Sequence, residues 1–310
     1  MILITGSTGF IGRAILRHLI DDGFGVRILL APSDRSPKLP RGVSVDVTLA
    51  SLTDARGIRA ALVGVESVIH LAGMSPGGRD EDVDLELEGT QNLAEAAADA
   101  QIQRLIYLSH LGANPFSAYP MMAAKGLSES AIQSSGVPYS ILRAPVIFGP
   151  GDDLTTSTAM LLSMSPIILL PAGGATVLQP LWVDDLARCI AWSMEDESLL
   201  GKTIEMGGPE YLTYREIVET IMAMLGKRRL LLSSAPPILR LGAGMLGRLM
   251  ASPPVTQNWL DYLAVDRTTD IDTIPRVFHL HPARMGEHLD FIHGMKWGKE
   301  FLRRLRRRKT

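Results

Sequence analysis

The sequence of 310 residues predicts an α/β fold, in which a doubly wound parallel sheet is covered by helices on both faces. Three observations support this fold class. Short β-branched runs alternate with helical patterns through the first half of the chain. Several of these runs are apolar without interruption, as expected of strands that are buried on both faces. A glycine-rich turn joins the first run to the first helical pattern.

The elements follow in order along the chain. Strands are predicted at 2–5, 26–30, 43–47, 67–71, 104–108 and 139–142, with helices between them at 11–21, 54–62, 84–98 and 121–134. Ser51 and Asp54 have the spacing of a capping box at the start of the second helix. After residue 150 the alternation fades into helices at 155–162, 183–194, 214–225 and 238–250 and strands near 176–181 and 203–206.

This pattern predicts a Rossmann-type domain over residues 1–150. A smaller, mainly helical substrate lobe is predicted over residues 151–302, interleaved with the sheet, and a basic tail over residues 303–310.

Composition narrows the function classes. Hydrophobic residues make up 46% and charged residues 21%, which is typical of a globular protein with a large core. The net charge is -2, but six of the last eight residues are Arg or Lys, so the other 302 residues carry -8. An acidic body argues against nucleic acid as the main partner. The single cysteine, the lack of a signal peptide pattern and the lack of an apolar run of about 20 residues predict a cytoplasmic protein.

The strongest motif is the turn that follows the first strand, Gly6-Ser7-Thr8-Gly9-Phe10-Ile11-Gly12. The first glycine permits a tight turn, the second lets a pyrophosphate approach the backbone, and the third lets the helix pack closely on the strand. The phosphates then bind the free N–H groups at the start of the helix. A glycine turn without a ligand is the alternative, but the order strand, turn, helix favours dinucleotide binding.

The GxxGxxG spacing resembles the extended and atypical branches of the short-chain dehydrogenase/reductase superfamily, including the epimerase/dehydratase type. Further matching stretches lie at residues 70–73, 89–93, 107–109, 142–151 and 180–187. The resemblance implies that an acidic residue after the third strand contacts adenine, that the end of the fourth strand lines the cofactor site, and that a lysine holds the nicotinamide ribose. The residues at these positions are Asp46 and Val47, then Leu71, Ala72 and Gly73, and finally Lys125.

Stretches 107–113, 179–185 and 207–216 resemble more specifically an atypical group that includes an accessory subunit of mitochondrial complex I and its bacterial relatives. For that group the implied role is tight NADPH binding, with catalysis unproven or lost in some members.

The second predicted strand indicates which nicotinamide cofactor fits. NAD sites usually carry an acid at the end of this strand, to hold the ribose 2′-hydroxyl, but Ala31 stands there. Arg13, Ser33 and Arg35 are near enough in sequence to meet a 2′-phosphate. NADP(H) is therefore favoured over NAD(H). The alternative is that both arginines are solvated surface residues.

The catalytic pattern is incomplete. The superfamily's reaction needs a tyrosine four residues before the lysine, so that both side chains lie on one helix face and the ammonium lowers the phenol pKa. Four residues before Lys125 stands Met121, whose thioether cannot transfer a proton. Tyr119 at the helix entry, His110 and Ser109 are the remaining catalytic candidates. Two hypotheses follow, namely a cofactor-holding accessory or assembly protein, and an active reductase or epimerase-like enzyme with a non-standard proton donor.

Two further features concern other ligands. Four histidines between residues 279 and 293 lack an established metal-ligand spacing, so no metal is predicted. Helix 238–250 has a broad apolar surface, which favours a lid packed on the substrate lobe. The alternative is an amphipathic surface that meets a membrane or a small apolar substrate. A third hypothesis is that this helix and the basic tail contact a protein complex or the inner face of a membrane.

Overall fold

A computed structural model describes residues 1–32, 44–73, 76, 82–250 and 252–306. The strands are β1 (Ile2–Thr5), β2 (Val26–Leu30), β3 (Asp46–Leu49), β4 (Ser67–His70), β5 (Arg104–His110), β6 (Tyr139–Ala144), β7 (Ile147–Phe148), β8 (Ile167–Pro171), β9 (Val177–Leu178), β10 (Leu181–Trp182), β11 (Lys202–Glu205), β12 (Leu212–Thr213) and β13 (Leu230–Ser234). The α-helices are α1 (Phe10–Asp21), α2 (Ala55–Ala61), α3 (Asp82–Asp99), α4 (Pro120–Ser134), α5 (Leu154–Met164), α6 (Val183–Ser193), α7 (Tyr214–Met224), α8 (Pro236–Leu249), α9 (Gln257–Tyr262), α10 (Thr273–Phe278) and α11 (Trp297–Arg306).

The main sheet has seven parallel strands in the order β11-β6-β5-β4-β1-β2-β3. The predicted α/β class with a doubly wound parallel sheet is thereby confirmed. The strand order reverses between β1 and β4, where Ile4 lies opposite Ile69. A crevice opens at the carboxyl ends of strands beside such a reversal, which is where α/β proteins bind ligands. Strand β11 comes from the chain beyond residue 150 and extends this sheet at one edge.

Helices bury both faces of the sheet. On one face, α1 and α6 contribute Leu16 and Leu186 to a core built on Ile4 and Ile106. On the other face, α2, α3 and α4 pack around Tyr107, and a third cluster fills the second lobe. Within the described part of the chain, no helix combines the length and the apolarity needed to cross a bilayer.

Two local predictions were wrong. Strand β3 begins at Asp46 and runs to Leu49, so Asp46 and Val47 open the strand instead of following it. Asp46 pairs with Arg27 at the amino end of β2, with 2.7 Å between the Arg27 Nε and a carboxylate oxygen, and this register carries the strand past its predicted end. The capping box at α2 is absent as well, because Asp54 itself caps the helix by accepting the N–H groups of Arg56 and Gly57.

The second lobe contains a pairing that the sequence analysis did not predict. Strands β8 and β13 form a separate parallel two-stranded ribbon, with Ile167 opposite Leu230 and Leu169 opposite Leu232. Helix α8 follows β13 after Ala235 and packs against α9 and β8.

Candidate dinucleotide-binding site

The glycine turn forms a cradle at the carboxyl end of β1. Gly6 has φ +71°, and a Cβ there would come within 2.7 Å of the Ala72 nitrogen. A Cβ on Gly12 would lie 2.2 Å from the Gly6 carbonyl oxygen, so α1 can pack this closely only on a glycine. Gly9 caps α1 and donates its N–H to that same oxygen at 3.1 Å.

The start of α1 suits an anionic ligand. No acidic residue stands in its first turn, and no side chain of the described residues caps its free N–H groups. The Ser7 hydroxyl is buried, and it has no hydrogen-bond partner among the described residues. Free amides, an unpartnered hydroxyl and a cradle that a Cβ would fill fit the diphosphate of a dinucleotide. The predicted phosphate-binding residues 6–12 are thus assembled in one place.

A hydrogen-bonded chain fixes the carboxyl ends of β1 and β4 relative to each other. The Thr90 hydroxyl donates to the Glu86 carbonyl, so it accepts from Nε2 of His70 at 2.9 Å. The other ring nitrogen of His70 then accepts from the Thr5 hydroxyl at 2.6 Å, while the Leu71 and Ala72 amides donate to the same Thr5 oxygen. This pattern needs a neutral imidazole, and burial lowers the pKa of His70 to about 4.

Lys125 lies in a buried ion pair. Its Nζ is 3.0 Å from Oε1 of Glu86 and 3.4 Å from the Leu108 carbonyl oxygen, and 4.9 Å from the centre of the Tyr107 ring. The Tyr107 hydroxyl donates to the same carboxylate oxygen at 2.5 Å. Burial alone raises the pKa of Glu86, but the Lys125 charge and the Tyr107 hydrogen bond outweigh it and hold that pKa below its usual range.

The second oxygen of Glu86 covers the backbone at Gly73, where a Cβ would be 1.8 Å from it. Gly73 has φ +140°. The end of β4 therefore brings Leu71, Ala72 and Gly73 beside the glycine cradle and beside Lys125, as the family resemblance implies.

A cavity of about 120 Å³ lies between this cluster and the second lobe. Its walls are mostly apolar, and the polar groups that reach it include His110 and Lys125. The residues that line it are Phe10, Ile11, Leu71, Gly73, Pro76, Leu108, His110, Lys125, Val146, Ile147, Asp153, Leu154 and Trp259.

His110 and Ser109 face opposite ways because they are neighbours on one strand. His110 lines the cavity, and in the described part of the chain its buried Nδ1 has no hydrogen-bond partner. Burial and the charges of Lys125 and Arg267 lower the pKa of His110 to about 3. The Ser109 hydroxyl instead donates to Glu129 at 2.5 Å. The Ser109 hydroxyl is thus engaged away from the cavity, which His110 lines.

The positions around the missing phenol are filled by other side chains. Met121 is 3% exposed and leaves no room for solvent at its position. Tyr119 caps α4 and shares a narrow space with Met121, Tyr262 and Arg267. The Tyr262 hydroxyl is buried and has no partner among the described residues, and burial raises its pKa.

Arg267 connects the second lobe to this region. Its guanidinium lies 4.5 Å from the Tyr262 ring centre and donates to the Tyr262 carbonyl at 3.2 Å. It also donates to the Leu111 carbonyl at 2.9 Å, in the loop after β5.

The structure describes some of the residues that are predicted to select between NADP(H) and NAD(H). Arg13 donates to the Thr8 carbonyl at 2.7 Å, beside the cradle. Ala31 follows β2 and is exposed, so no carboxylate stands at that position. Ser33 and Arg35 lie outside the described residues. Asp46 and Val47 open β3 at the amino edge of the sheet, whereas the glycine cradle lies at the carboxyl edge. The adenine contact of these two residues stays a prediction that this placement does not support.

Sequence reasoning missed Glu86, Tyr262 and Arg267. A helical spacing could have indicated Glu86, because it stands four residues before Thr90 and so shares the face that meets His70. Tyr262 and Arg267 come from the far end of the chain, where no pattern linked them to the site.

Comparison with known families agrees with this geometry. A family model described as NAD(P)H-binding matches the glycine cradle, Lys125 and the strands between them. Residues 6–159 belong to the NAD(P)H-binding family. This match, together with the similarity to known relatives, confirms the prediction that the protein is an atypical short-chain dehydrogenase/reductase.

Two relatives in sequence and one solved structure illustrate the proteins to which this chain is similar. Ceramide reductase of Caulobacter vibrioides is 29% identical over 295 residues, which cover 94% of this chain and 85% of that protein. Subunit 9 of the NADH dehydrogenase [ubiquinone] 1 alpha subcomplex of Arabidopsis thaliana is 30% identical over 231 residues, 72% of this chain and 57% of that subunit. The dTDP-glucose 4,6-dehydratase DesIV of Streptomyces venezuelae, solved with NAD bound, superposes with a TM-score of 0.75 at 20% identity over 96% of this chain and 97% of that one. This last likeness concerns the fold alone.

Proposed function

We propose that this NAD(P)H-binding protein holds NADPH without turning it over, in an accessory or assembly role. The observation that carries the proposal is Met121, which is buried at the position where the reaction needs a phenol. A bound nicotinamide supplies a hydride, and reduction of a carbonyl also needs a proton at the oxygen. A thioether has no proton to give.

The remaining machinery serves binding better than proton transfer. The glycine cradle holds the diphosphate, and Lys125 holds the nicotinamide ribose. Because the Lys125 ammonium is already paired with Glu86 at 3.0 Å, its charge is balanced before any substrate arrives. Two observations support a preference for NADPH over NADH. Arg13 lies next to the cradle, and no carboxylate stands at position 31, where Ala31 is found. The relationship to a complex I subunit supports an accessory role inside a larger assembly.

Purified protein tests this proposal. Denaturation should release NADPH, identified by chromatography and by the fluorescence of the reduced nicotinamide. The bound NADPH should stay reduced when carbonyls, quinones or sugar nucleotides are added. Its oxidation rate should be the same with and without these compounds. Met121→Tyr restores the phenol and Met121→Leu is the matched control, so activity gained only by the first variant would locate the defect at this position. Rapid oxidation by the unaltered protein would refute the holding role.

A second candidate function has one specific observation in its favour. His110 lines an apolar cavity, and its buried Nδ1 has no hydrogen-bond partner among the described residues. This arrangement suits an enzyme that reduces a carbonyl on an apolar chain, as the name of the Caulobacter relative suggests. Hydride would move from NADPH to the carbonyl carbon, and a proton from His110 to the oxygen. The low pKa of His110 makes its charged form scarce at neutral pH, so the holding role is favoured. NADPH oxidation by a lipid ketone that disappears in His110→Ala would reverse this order.

A further inference from the structure

The ribbon of the second lobe exposes aliphatic side chains in a row. Ile167, Leu169, Leu230 and Leu232, here called the ribbon face, are 44%, 46%, 55% and 40% exposed. They form two cross-strand pairs on one side of the ribbon, whereas Ile168 and Leu170 on the other side of β8 are buried. The ribbon therefore leaves its apolar outer side facing solvent.

Helix α8 repeats this arrangement. It buries one stripe against the second lobe, made of Leu239, Ala243, Leu246 and Met250. A second apolar stripe, here called the helix stripe, consists of Ile238, Leu241, Met245 and Leu249 and is 58–70% exposed. Spacings of three and four residues place these four side chains on one face. The predicted packing of this helix on the lobe accounts for the first stripe and leaves the second one mostly exposed.

The two surfaces belong to adjacent elements. Ala235 separates β13 from α8, and α8 packs against β8. Eight exposed aliphatic side chains on neighbouring elements are unusual for a protein surface, where single exposed apolar residues are ordinary.

The stretch of chain that carries β13 and α8 is basic. Residues 220–260 contain five Lys or Arg and no Asp or Glu, whereas the whole chain has 33 acidic and 31 basic residues. Arg228 and Arg248 are exposed, and Arg248 follows Met245 of the helix stripe by three positions. Arg240 pairs with Asp261, and Arg229 donates to the Leu162 carbonyl.

We propose that the ribbon face and the helix stripe together dock on the surface of an anionic phospholipid bilayer. Basic side chains beside an apolar surface can contact the anionic headgroups of a bilayer while the apolar side chains enter the acyl region below. A second copy of this chain is a poor occupant, because a two-fold contact would bring the same cations against one another. None of the eight side chains is aromatic, although aromatic residues are enriched in protein interfaces. The proposal is independent of the dinucleotide site, which lies at the sheet.

The described part of the basic tail is held by the protein itself. Arg303 and Arg304 pair with Glu300, and Arg304 also donates to Ser157. Residues 307–310 lie outside the described part of the chain.

Vesicle flotation of the full-length protein tests the proposal. Vesicles of phosphatidylcholine with roughly one third phosphatidylglycerol should carry the protein, and pure phosphatidylcholine vesicles should carry much less. Leu241→Glu and Leu230→Glu should each lower the ratio of vesicle-bound to free protein about tenfold. Each substitution removes an aliphatic side chain that would be buried in the bilayer and adds a negative charge that the anionic lipids repel. Val63→Glu is the matched control, since Val63 is 71% exposed and Leu241 70%, and its binding should equal that of the unaltered protein.

Other outcomes overturn the proposal. Equal flotation of Leu241→Glu and the unaltered protein would exclude the helix stripe. A dimer in size-exclusion chromatography that dissociates in Leu241→Glu, without vesicle binding, would assign the surface to a second copy. Failure of about 0.5 M salt to weaken binding would exclude the electrostatic part, because charges are screened within a few ångströms at that concentration. Circular dichroism checks that each variant is folded, and bound nucleotide should be unchanged.

Discussion

Replacing Glu86 by Gln should destabilise the protein by about 3 to 5 kcal/mol, because it leaves the Lys125 ammonium buried without its anionic partner. The Lys125 side chain is 3% exposed and that of Glu86 is 0% exposed, so bulk water screens this pair little. At 3.0 Å and an effective dielectric constant of about 20, the Coulomb attraction between the two charges is about 5.5 kcal/mol.

Urea unfolding followed by tryptophan fluorescence measures this loss. Asp99→Asn provides the control, because the Asp99–Arg59 pair is separated by 3.4 Å with both side chains more than half exposed, and should cost less than about 1 kcal/mol. The double variant Glu86→Gln/Lys125→Met should be more stable than Glu86→Gln alone, since it removes the stranded charge. A cost for Glu86→Gln no larger than that for Asp99→Asn would refute the idea that this ion pair is buried and intact.

Three further predictions follow from the site. Gly12→Ala should abolish measurable NADPH binding in calorimetry and lower the unfolding free energy, because the Cβ of the alanine would lie 2.2 Å from the Gly6 carbonyl oxygen. Gly247→Ala is the control, since no atom lies within 4 Å of a Cβ there, and it should be neutral or slightly stabilising. Equal effects of the two substitutions would contradict the close packing at the cradle. The contribution of His70 and His110 to the unfolding free energy should fall between pH 6.5 and pH 4, by about 2 kcal/mol per histidine at pH 5, because the unfolded chain there binds protons that both folded imidazoles refuse. Asp152, whose pKa burial raises to about 7, opposes this fall, because its folded carboxyl takes up a proton over the same range. Urea midpoints at pH 7 and pH 5 check this, and His70→Gln should flatten the dependence. Arg13→Ala should weaken NADPH about tenfold and NADH little, and parallel losses in fluorescence titrations would count against a 2′-phosphate contact.

The parts of the fold that are local in sequence were predictable. The bounds of β1 and β2 agree with prediction because glycine turns and polar residues delimit their apolar runs. Strand β3 was misplaced because apolar residues continue beyond residue 47, and only its pairing with β2, through Arg27 and Asp46, decides where the strand begins.

The site was predictable where one motif supplies it. The glycine cradle lies within seven consecutive residues, so the sequence shows it directly. The partner of Lys125 is 39 residues away on another helix, and α3 begins with several acidic residues whose charge alone does not say which one faces inward. The ribbon was missed for the same reason, since β8 and β13 are paired across more than 60 residues of chain.

The bonds that Arg267 makes across the molecule tie the second lobe to the sheet beside the cavity. Arg267 donates to the Leu111 carbonyl in the loop after β5, and the Thr256 hydroxyl donates to the Pro76 carbonyl at 2.9 Å, so two hydrogen bonds join the lobes. Any movement of the second lobe that widens the cavity would break both of them, and each such bond contributes about 1 kcal/mol to stability. Binding of a large ligand must offset that loss if the lobes have to separate to admit it.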